Sequence, residues 1–177
     1  MKIYLIPFAA LGVLLSTTAS AQEPGDMFAT ASANLAGDWS GYLEYRDYQS
    51  GDIARIPHER SITLPPDASY VVTQLAFSDP GQRIYAGEIA TISENTIELA
   101  FVRGGTMEVE SYVVSGFQTT ATGWTTTLTA SGYDAGAPAD IRIVYTLDGE
   151  TLTLEKMVQP EGDDAHAFRN RVVLERQ

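Results

Sequence analysis

Apolar and polar residues alternate with a period of two from residue 37 onward, which is typical of β-strands that bury one face. In the first of these strands Trp39, Leu43 and Tyr45 share a face, and polar residues occupy the other. Turn signals interrupt the alternation at Pro65-Pro66-Asp67, Asp79-Pro80-Gly81, Gly104-Gly105 and Asp148-Gly149. From residue 37 onward no segment shows a convincing helical period, so the sequence predicts about ten strands joined by short loops in an antiparallel meander.

An open sheet of so many strands would leave two unpaired edges, whereas closure into a barrel removes both. We therefore expect an all-β fold, an antiparallel up-and-down barrel of eight to ten strands. The barrel should occupy residues 37–177 as one domain, because no loop is long enough to hold a second one. Residues 22–36, which are rich in Ala, Ser, Thr and Gly, are expected to form a loosely held leader.

The first residues have the pattern of a secretory signal peptide. A short basic start, Met1-Lys2, precedes an apolar run over residues 3–15 and an Ala-Ser-Ala sequence that ends at Ala21. The apolar run is shorter than the roughly 20 residues that a transmembrane helix needs. Cleavage near Ala21 would release a periplasmic or secreted protein. A membrane anchor kept in the mature protein is the less favoured alternative.

Composition narrows the classes of function. The 177 residues include 11 Lys and Arg against 23 Asp and Glu, which gives a formal net charge of −12. A phosphate backbone would be repelled by such a surface, so nucleic acid is excluded as a partner. The absence of cysteine excludes disulfides, thiolate chemistry and Cys-ligated zinc.

Charges on the faces expected to point outward argue against a barrel embedded in a membrane. Each charge facing lipid costs up to about 2–4 kcal/mol at the bilayer midplane. We therefore expect a soluble barrel, and a monomer. The charged residues predicted to face outward are Arg46, Glu59, Glu98, Glu108, Glu110, Arg142, Glu155, Arg169 and Arg171.

A short motif at the two ends of the predicted barrel resembles the calycin superfamily, which comprises lipocalins and fatty-acid-binding proteins. Gly37 and Trp39 form a Gly-x-Trp sequence at the start of the first strand, and Arg176 lies late in the last strand, with Arg171 as a second match. The resemblance implies a tryptophan that closes one barrel end beneath a stacked arginine. It also implies a cup that binds a small hydrophobic molecule. A core tryptophan without this role is the alternative.

Polar residues that share the inward face are the candidates for ligand binding. In the first hairpin we keep Leu43 opposite Ile62, which sets Tyr45 opposite Arg60. An inward arginine could bind a ligand carboxylate, or it could be neutralised by a neighbouring carboxylate. Further residues of inward parity are Glu88, Arg103, Ser111, Asn170 and Lys156. The residues predicted to bind the ligand are Tyr45, Arg60, Arg103 and Tyr145.

Catalytic signatures are missing from the sequence. The same register sets Asp47 opposite His58, which supplies two members of a catalytic triad, but no serine nucleophile can be named. There is no Gly-x-Ser-x-Gly, no Ser-x-x-Lys and no phosphate-binding glycine loop. We assign no catalytic residue, and a barrel enzyme is kept as an alternative.

No metal site and no cofactor are predicted either. The histidines are His58 and His166, without the spacing of a metal site. His166 precedes the last strand and could serve as an axial haem ligand, although a turn histidine is the commoner case. A second alternative function is a protein-binding module or inhibitor. Its acidic loops at residues 134–140 and 161–164 would bind a cationic protein.

Overall fold

A computed structural model describes residues 22–47, 50–79 and 81–177 of the chain. The predicted signal peptide over residues 1–21 lies outside the described residues. Ten antiparallel strands close into a single barrel in which each strand pairs with its neighbours in sequence and β1 pairs with β10. The predicted all-β up-and-down barrel is confirmed, with ten strands.

The strands have the length and spacing that the turn signals indicate. The hairpin at Gly104 and Gly105 uses positive φ angles of 60° and 82°, which glycine adopts without strain. The strands are β1 Gly37–Arg46, β2 Ile53–Thr63, β3 Tyr70–Asp79, β4 Gln82–Ser93, β5 Thr96–Arg103, β6 Thr106–Thr119, β7 Gly123–Asp134, β8 Ala137–Asp148, β9 Thr151–Pro160 and β10 Ala167–Arg176.

A helix, α1 Pro24–Ser32, and a 3₁₀ turn, Ala33–Leu35, cover the barrel end at which β1 begins and β10 ends. Phe28 and Leu35 are buried there, and the Phe28 ring meets the Trp124 ring edge-on at 5.5 Å. We call this the plugged end and the opposite end the mouth. The loosely held leader expected from composition is instead a folded plug. Within the described ranges, no helix is long and apolar enough to cross a membrane.

The plug is fixed by a close backbone approach at Gly25. The Gly25 amide donates to Asn95 Oδ1 at 2.8 Å, and Asn95 Nδ2 donates to the Glu23 carboxylate at 2.9 Å. A Cβ atom at position 25 would lie 1.6 Å from the carbonyl oxygen of Glu94. Only glycine allows the helix to lie this near to the turn between β4 and β5.

The predicted closure residues meet at the plugged end. Trp39 is 1% exposed and donates from Nε1 to the Leu35 carbonyl at 2.9 Å. The Arg176 guanidinium lies 4.1 Å from the centre of the Trp39 ring. It also donates to the carbonyls of Asn34 and Ala36, both at 2.6 Å. Arg176 therefore ties the last strand to both the first strand and the plug.

Gly37 makes room for this arginine. Its φ of +129° disfavours a side chain, and a Cβ atom at this position would lie only 3.1 Å from Arg176 Nη1. Arg171, the second match, lies instead beside Glu44 with the Nη2–Oε2 distance at 2.7 Å.

The first hairpin has a different register from the predicted one. Leu43 pairs with Ile56, and Arg60 pairs with Trp39. The chain turns closer to the end of β1 than the predicted register requires, because β2 already begins at Ile53. The pairing is therefore shifted by an even number of residues, and the same residues of the hairpin face inward. The predicted pairing of Tyr45 with Arg60 is therefore wrong.

A β-bulge in β6, between Val114 and Gly116, reverses which residues face inward along that strand. Tyr112 and Glu110 face the lumen, whereas Val109 and Val113 are 58% and 52% exposed on the outside. A strict alternation that starts from the inward-facing Phe117 ignores the bulge and assigns the residues before it to the wrong face. For this reason the inward placement predicted for Ser111 and the outward placement predicted for Glu108 and Glu110 were wrong.

A second bulge, in β10 between Phe168 and Asn170, leaves Arg169 without a place in the ladder. The Arg169 side chain turns toward the lumen and pairs with Asp134 at 2.8 Å. The outward placement predicted for Arg169 was therefore wrong.

Candidate functional site

A cavity of about 610 Å³ occupies the mouth half of the barrel lumen. Its volume lies within the roughly 300–1,000 Å³ range of small-molecule sites. The apolar part of its wall comprises Leu99, Phe101, Ile143, Leu154 and Val172. The polar part comprises Arg60, Glu88, Arg103, Thr106, Glu108, Glu110, Tyr112, Tyr145, Lys156, Arg169 and Asn170.

Three of the four residues predicted to bind a ligand line this one cavity: Arg60, Arg103 and Tyr145. Tyr45 is not part of the lining and pairs with Ala54 and Asn170 at the end of β1. The alternation of the strands therefore finds most of the lining. It misses Glu108, Glu110 and Arg169, whose positions depend on the two bulges.

His58 is fully buried and holds Arg60 in place. Its Nδ1 lies 3.1 Å from the Ala76 carbonyl, and its Nε2 lies 3.0 Å from Arg60 Nε. Because the carbonyl only accepts and the guanidinium only donates, Nδ1 carries the proton and Nε2 accepts from Arg60. Burial, followed by the charge of Arg60, lowers the pKa of His58 to about 3. His58 is therefore a neutral acceptor that aims the arginine.

Asp47, the residue expected beside His58, lies in the loop after β1. Its Oδ1 accepts from the backbone amide of Ser50 at 2.8 Å. The His58 ring also stacks on the Phe77 ring, with 4.4 Å between the ring centres. The predicted Asp47–His58 pair is therefore wrong, and these two residues do not form part of a catalytic triad.

Arg60 faces Glu88 across the lumen wall in a loose ion pair. The side chains are 10% and 17% exposed, and the shortest distance, from Nη1 to Oε2, is 3.6 Å. This is longer than the roughly 2.7–2.9 Å of a charge-assisted hydrogen bond. In the described part of the chain, the Glu88 carboxylate accepts no hydrogen bond.

Two tyrosines adjoin this pair. The Tyr112 hydroxyl donates to Glu110. The Tyr145 hydroxyl has no hydrogen-bond partner among the described residues, and its ring rests against Phe28 of the plug at 6.0 Å. Burial, then the negative charge of Glu88, raises the pKa of Tyr145 to about 12, while Arg60 opposes the rise. Tyr145 is therefore a neutral hydroxyl close to both charged groups.

The cations nearer the mouth differ in their pairing. Lys156 and Arg169 share Asp134, at 2.9 Å and 2.8 Å. Arg103, at the end of β5, is exposed and forms no ion pair within residues 22–47, 50–79 and 81–177. Arg103 is thus the lining cation that is most available to a ligand.

A smaller pocket of about 60 Å³ lies beneath the main cavity, toward the plug. Ile62, Val71, Ile97 and Leu128 line it together with Phe28. Because Arg60 and Tyr145 line both spaces, a small apolar group could reach this pocket from the main cavity. In the described ranges, no three His, Asp or Glu side chains are grouped so that they could hold a metal ion.

No protein-family model matches the chain, and a search of curated proteins finds no match. The crystal structure of Rv2717c from M. tuberculosis has a similar fold, with a TM-score of 0.59 and 14% sequence identity. The match covers 83% of this chain and 97% of that chain. At this identity the likeness concerns the fold alone, and it supports a closed barrel.

Proposed function

We propose that this protein is a lipocalin-like barrel that binds one small amphipathic molecule in its lumen. The observation that carries the proposal is the cavity of about 610 Å³, which has both apolar walls and unpaired polar groups. A ligand enters through the mouth, because α1 and the Trp39–Arg176 contact cover the other end. The apolar walls hold the body of the ligand, and Arg103 attracts an acidic group at the mouth.

The experiment is equilibrium binding of a dansyl-labelled fatty acid, which supplies an apolar body and a carboxylate. Asn170→Trp places a large ring in the cavity that Asn170 lines, and it should weaken binding at least tenfold. Val109→Trp places the same ring on the exposed outer face and should leave binding unchanged. Arg103→Gln should weaken binding less than Asn170→Trp does, because it removes one charge and no volume.

Circular dichroism and urea unfolding establish that the variants are folded. Equal affinity of wild type and a folded Asn170→Trp variant would contradict binding in the lumen. Native mass spectrometry of protein purified from its own host provides a second measurement, since a resident ligand should appear as added mass. The same spectrum tests the proposed export, because signal cleavage near Ala21 predicts a mature chain that begins at Gln22.

A further inference from the structure

The ion pair between Arg60 and Glu88 is buried, but the two charged groups are not in direct hydrogen-bond contact. Both side chains are more than four-fifths buried, yet their nearest atoms are 3.6 Å apart. Removing two charges from water is costly unless direct hydrogen bonds compensate, so a buried pair normally closes to contact. Here Arg60 is held back by its bond to His58 Nε2 at 3.0 Å. The pair therefore keeps a free donor and a free acceptor side by side.

Tyr145 adds a third free group at the same place. Its hydroxyl has no hydrogen-bond partner in the described residues, and its side chain lines the same cavity as Arg60 and Glu88. Tyr112, the nearby alternative, is already occupied by Glu110. The inner wall of the cavity thus offers N–H donors from Arg60, a carboxylate acceptor from Glu88 and a hydroxyl that can do either.

The two opposite charges of Arg60 and Glu88, which lie side by side, disfavour a ligand group of either charge. A carboxylate drawn to Arg60 would be repelled by Glu88, and an ammonium group drawn to Glu88 would be repelled by Arg60. A neutral group with a donor and an acceptor on adjacent atoms avoids both repulsions. A cyclic amide presents these two atoms on one edge, with its C=O and N–H held on the same side.

We propose that Arg60, Glu88 and Tyr145 form a subsite for the cis-amide edge of a neutral lactam or imide ring. The ring N–H donates to Glu88, and the ring carbonyl accepts from Arg60 and Tyr145. This inference rests on the proposed function, because the ring must enter the lumen. It differs from a fatty-acid site, in which a carboxylate would bind at Arg60.

Three bicyclic probes of nearly equal size separate these chemistries. 2-Quinolone carries the complete amide edge, N-methyl-2-quinolone lacks the donor, and quinoline-2-carboxylate is an anion. We expect 2-quinolone to bind the wild-type protein about tenfold or more tightly than its N-methyl analogue, as one hydrogen bond to a buried charged group implies. Calorimetry or ligand-observed NMR measures the three affinities.

Glu88→Gln should reverse the preference. The variant removes the negative charge but keeps the side-chain shape, so Arg60 becomes available to an anion. We expect the affinity for quinoline-2-carboxylate to rise about tenfold over that of the wild type, and the advantage of 2-quinolone over its N-methyl analogue to shrink. Glu98→Gln makes the same change on the exposed outer face of β5 and should alter neither ratio.

Tyr145→Phe keeps the ring against the plug and removes only the hydroxyl. It should weaken 2-quinolone binding several-fold, and it serves as the test if Glu88→Gln does not fold. A preference for the carboxylate over 2-quinolone that persists in the Arg103→Gln variant would overturn the subsite, as would equal binding of 2-quinolone and its N-methyl analogue. Failure of all three probes in a protein that still takes up the dansyl fatty acid overturns the subsite alone. Failure of the fatty acid as well overturns the proposed function.

Discussion

The buried neutral state of His58 makes the stability of the folded barrel depend on pH. In the folded protein, burial and Arg60 lower the pKa of His58 from 6.5 to about 3, and the side chain is 0% exposed. In the unfolded chain the imidazole keeps its ordinary pKa. Between these pH values the unfolded state binds one proton more than the folded state does, so the free energy of unfolding decreases as the pH falls below 6.5.

The size of this decrease follows from the pKa difference. Each pH unit inside the window changes the free energy of unfolding by about 1.4 kcal/mol. From pH 8 to pH 5 the contribution of His58 therefore amounts to a loss of about 2 kcal/mol. Most carboxylates stay ionised over this range, because their ordinary pKa values lie near 4. The histidine contribution can thus be measured before acid denaturation begins.

Urea unfolding, followed by the fluorescence of the buried Trp39 and Trp124, measures this contribution at pH 8, 6.5 and 5. His58→Gln removes the titrating ring, so its loss between pH 8 and pH 5 should be about 2 kcal/mol smaller than that of the wild type. The absolute stability of the variant will also fall, because the stack on Phe77 is lost, but the comparison uses only the change with pH. His166→Gln changes the other histidine and is the matched control.

Two results would refute this reasoning. One is a His58→Gln variant whose stability changes with pH as the wild type does. The other is a His58 imidazole signal in NMR spectra that titrates near pH 6.5 in the folded protein. With two histidines in the chain, His166→Gln assigns both signals without further labelling.

Three further substitutions test the plugged end by urea unfolding. Phe28→Ala should cost about 3–5 kcal/mol, because it empties the space between the plug and the barrel wall; a loss below about 1 kcal/mol would mean that the plug is not part of the core. Gly25→Ala, whose Cβ would lie 1.6 Å from a backbone oxygen, should cost more than about 1 kcal/mol, whereas Gly132→Ala, with no atom within 4 Å, should cost less; equal effects would contradict the close approach. Arg176→Met should cost about 2 kcal/mol through the lost contacts with Trp39 and the plug carbonyls, and an unchanged midpoint would refute that role.

The barrel could be predicted from the sequence because its strands are locally encoded. Alternation marks a strand, and a glycine pair such as Gly104 and Gly105 marks a hairpin, so both signals are read within a dozen residues. The β-bulges could not be predicted in this way. A single extra residue near Ser115 exchanges the two faces of β6. Val109 and Val113 are apolar although they are exposed, so the outer face before the bulge has the sequence pattern of a buried face.

The helical plug was missed for a different reason. Residues 24–35 are mostly small, and a segment this short is only marginally helical on its own. Its stability depends on docking, through Phe28 in the barrel end and Gly25 against the turn between β4 and β5. Such contacts between distant residues have no local signature.

The candidate site was predicted in part. The alternation along the strands correctly placed Arg60, Arg103 and Tyr145 on the inward face. A register shift by an even number of residues does not change the face on which a residue lies. The partner of His58 was predicted wrongly because the assumed register placed Asp47 opposite it. In the structure His58 pairs with Gly41 in the ladder, and its side-chain partner is Arg60, two residues along the same strand.

The pairing of β1 with β10 has a practical consequence for studying the molecule on a surface. β1 begins and β10 ends beside the plug, where the Gln177 amide donates to the Asp38 carbonyl at 2.9 Å. A tether attached after Gln177 would therefore hold the barrel by its covered end, with the mouth facing the solution. An immobilised sensor built in this orientation would leave ligand exchange unobstructed, whereas attachment through the loop between β5 and β6 would obstruct it.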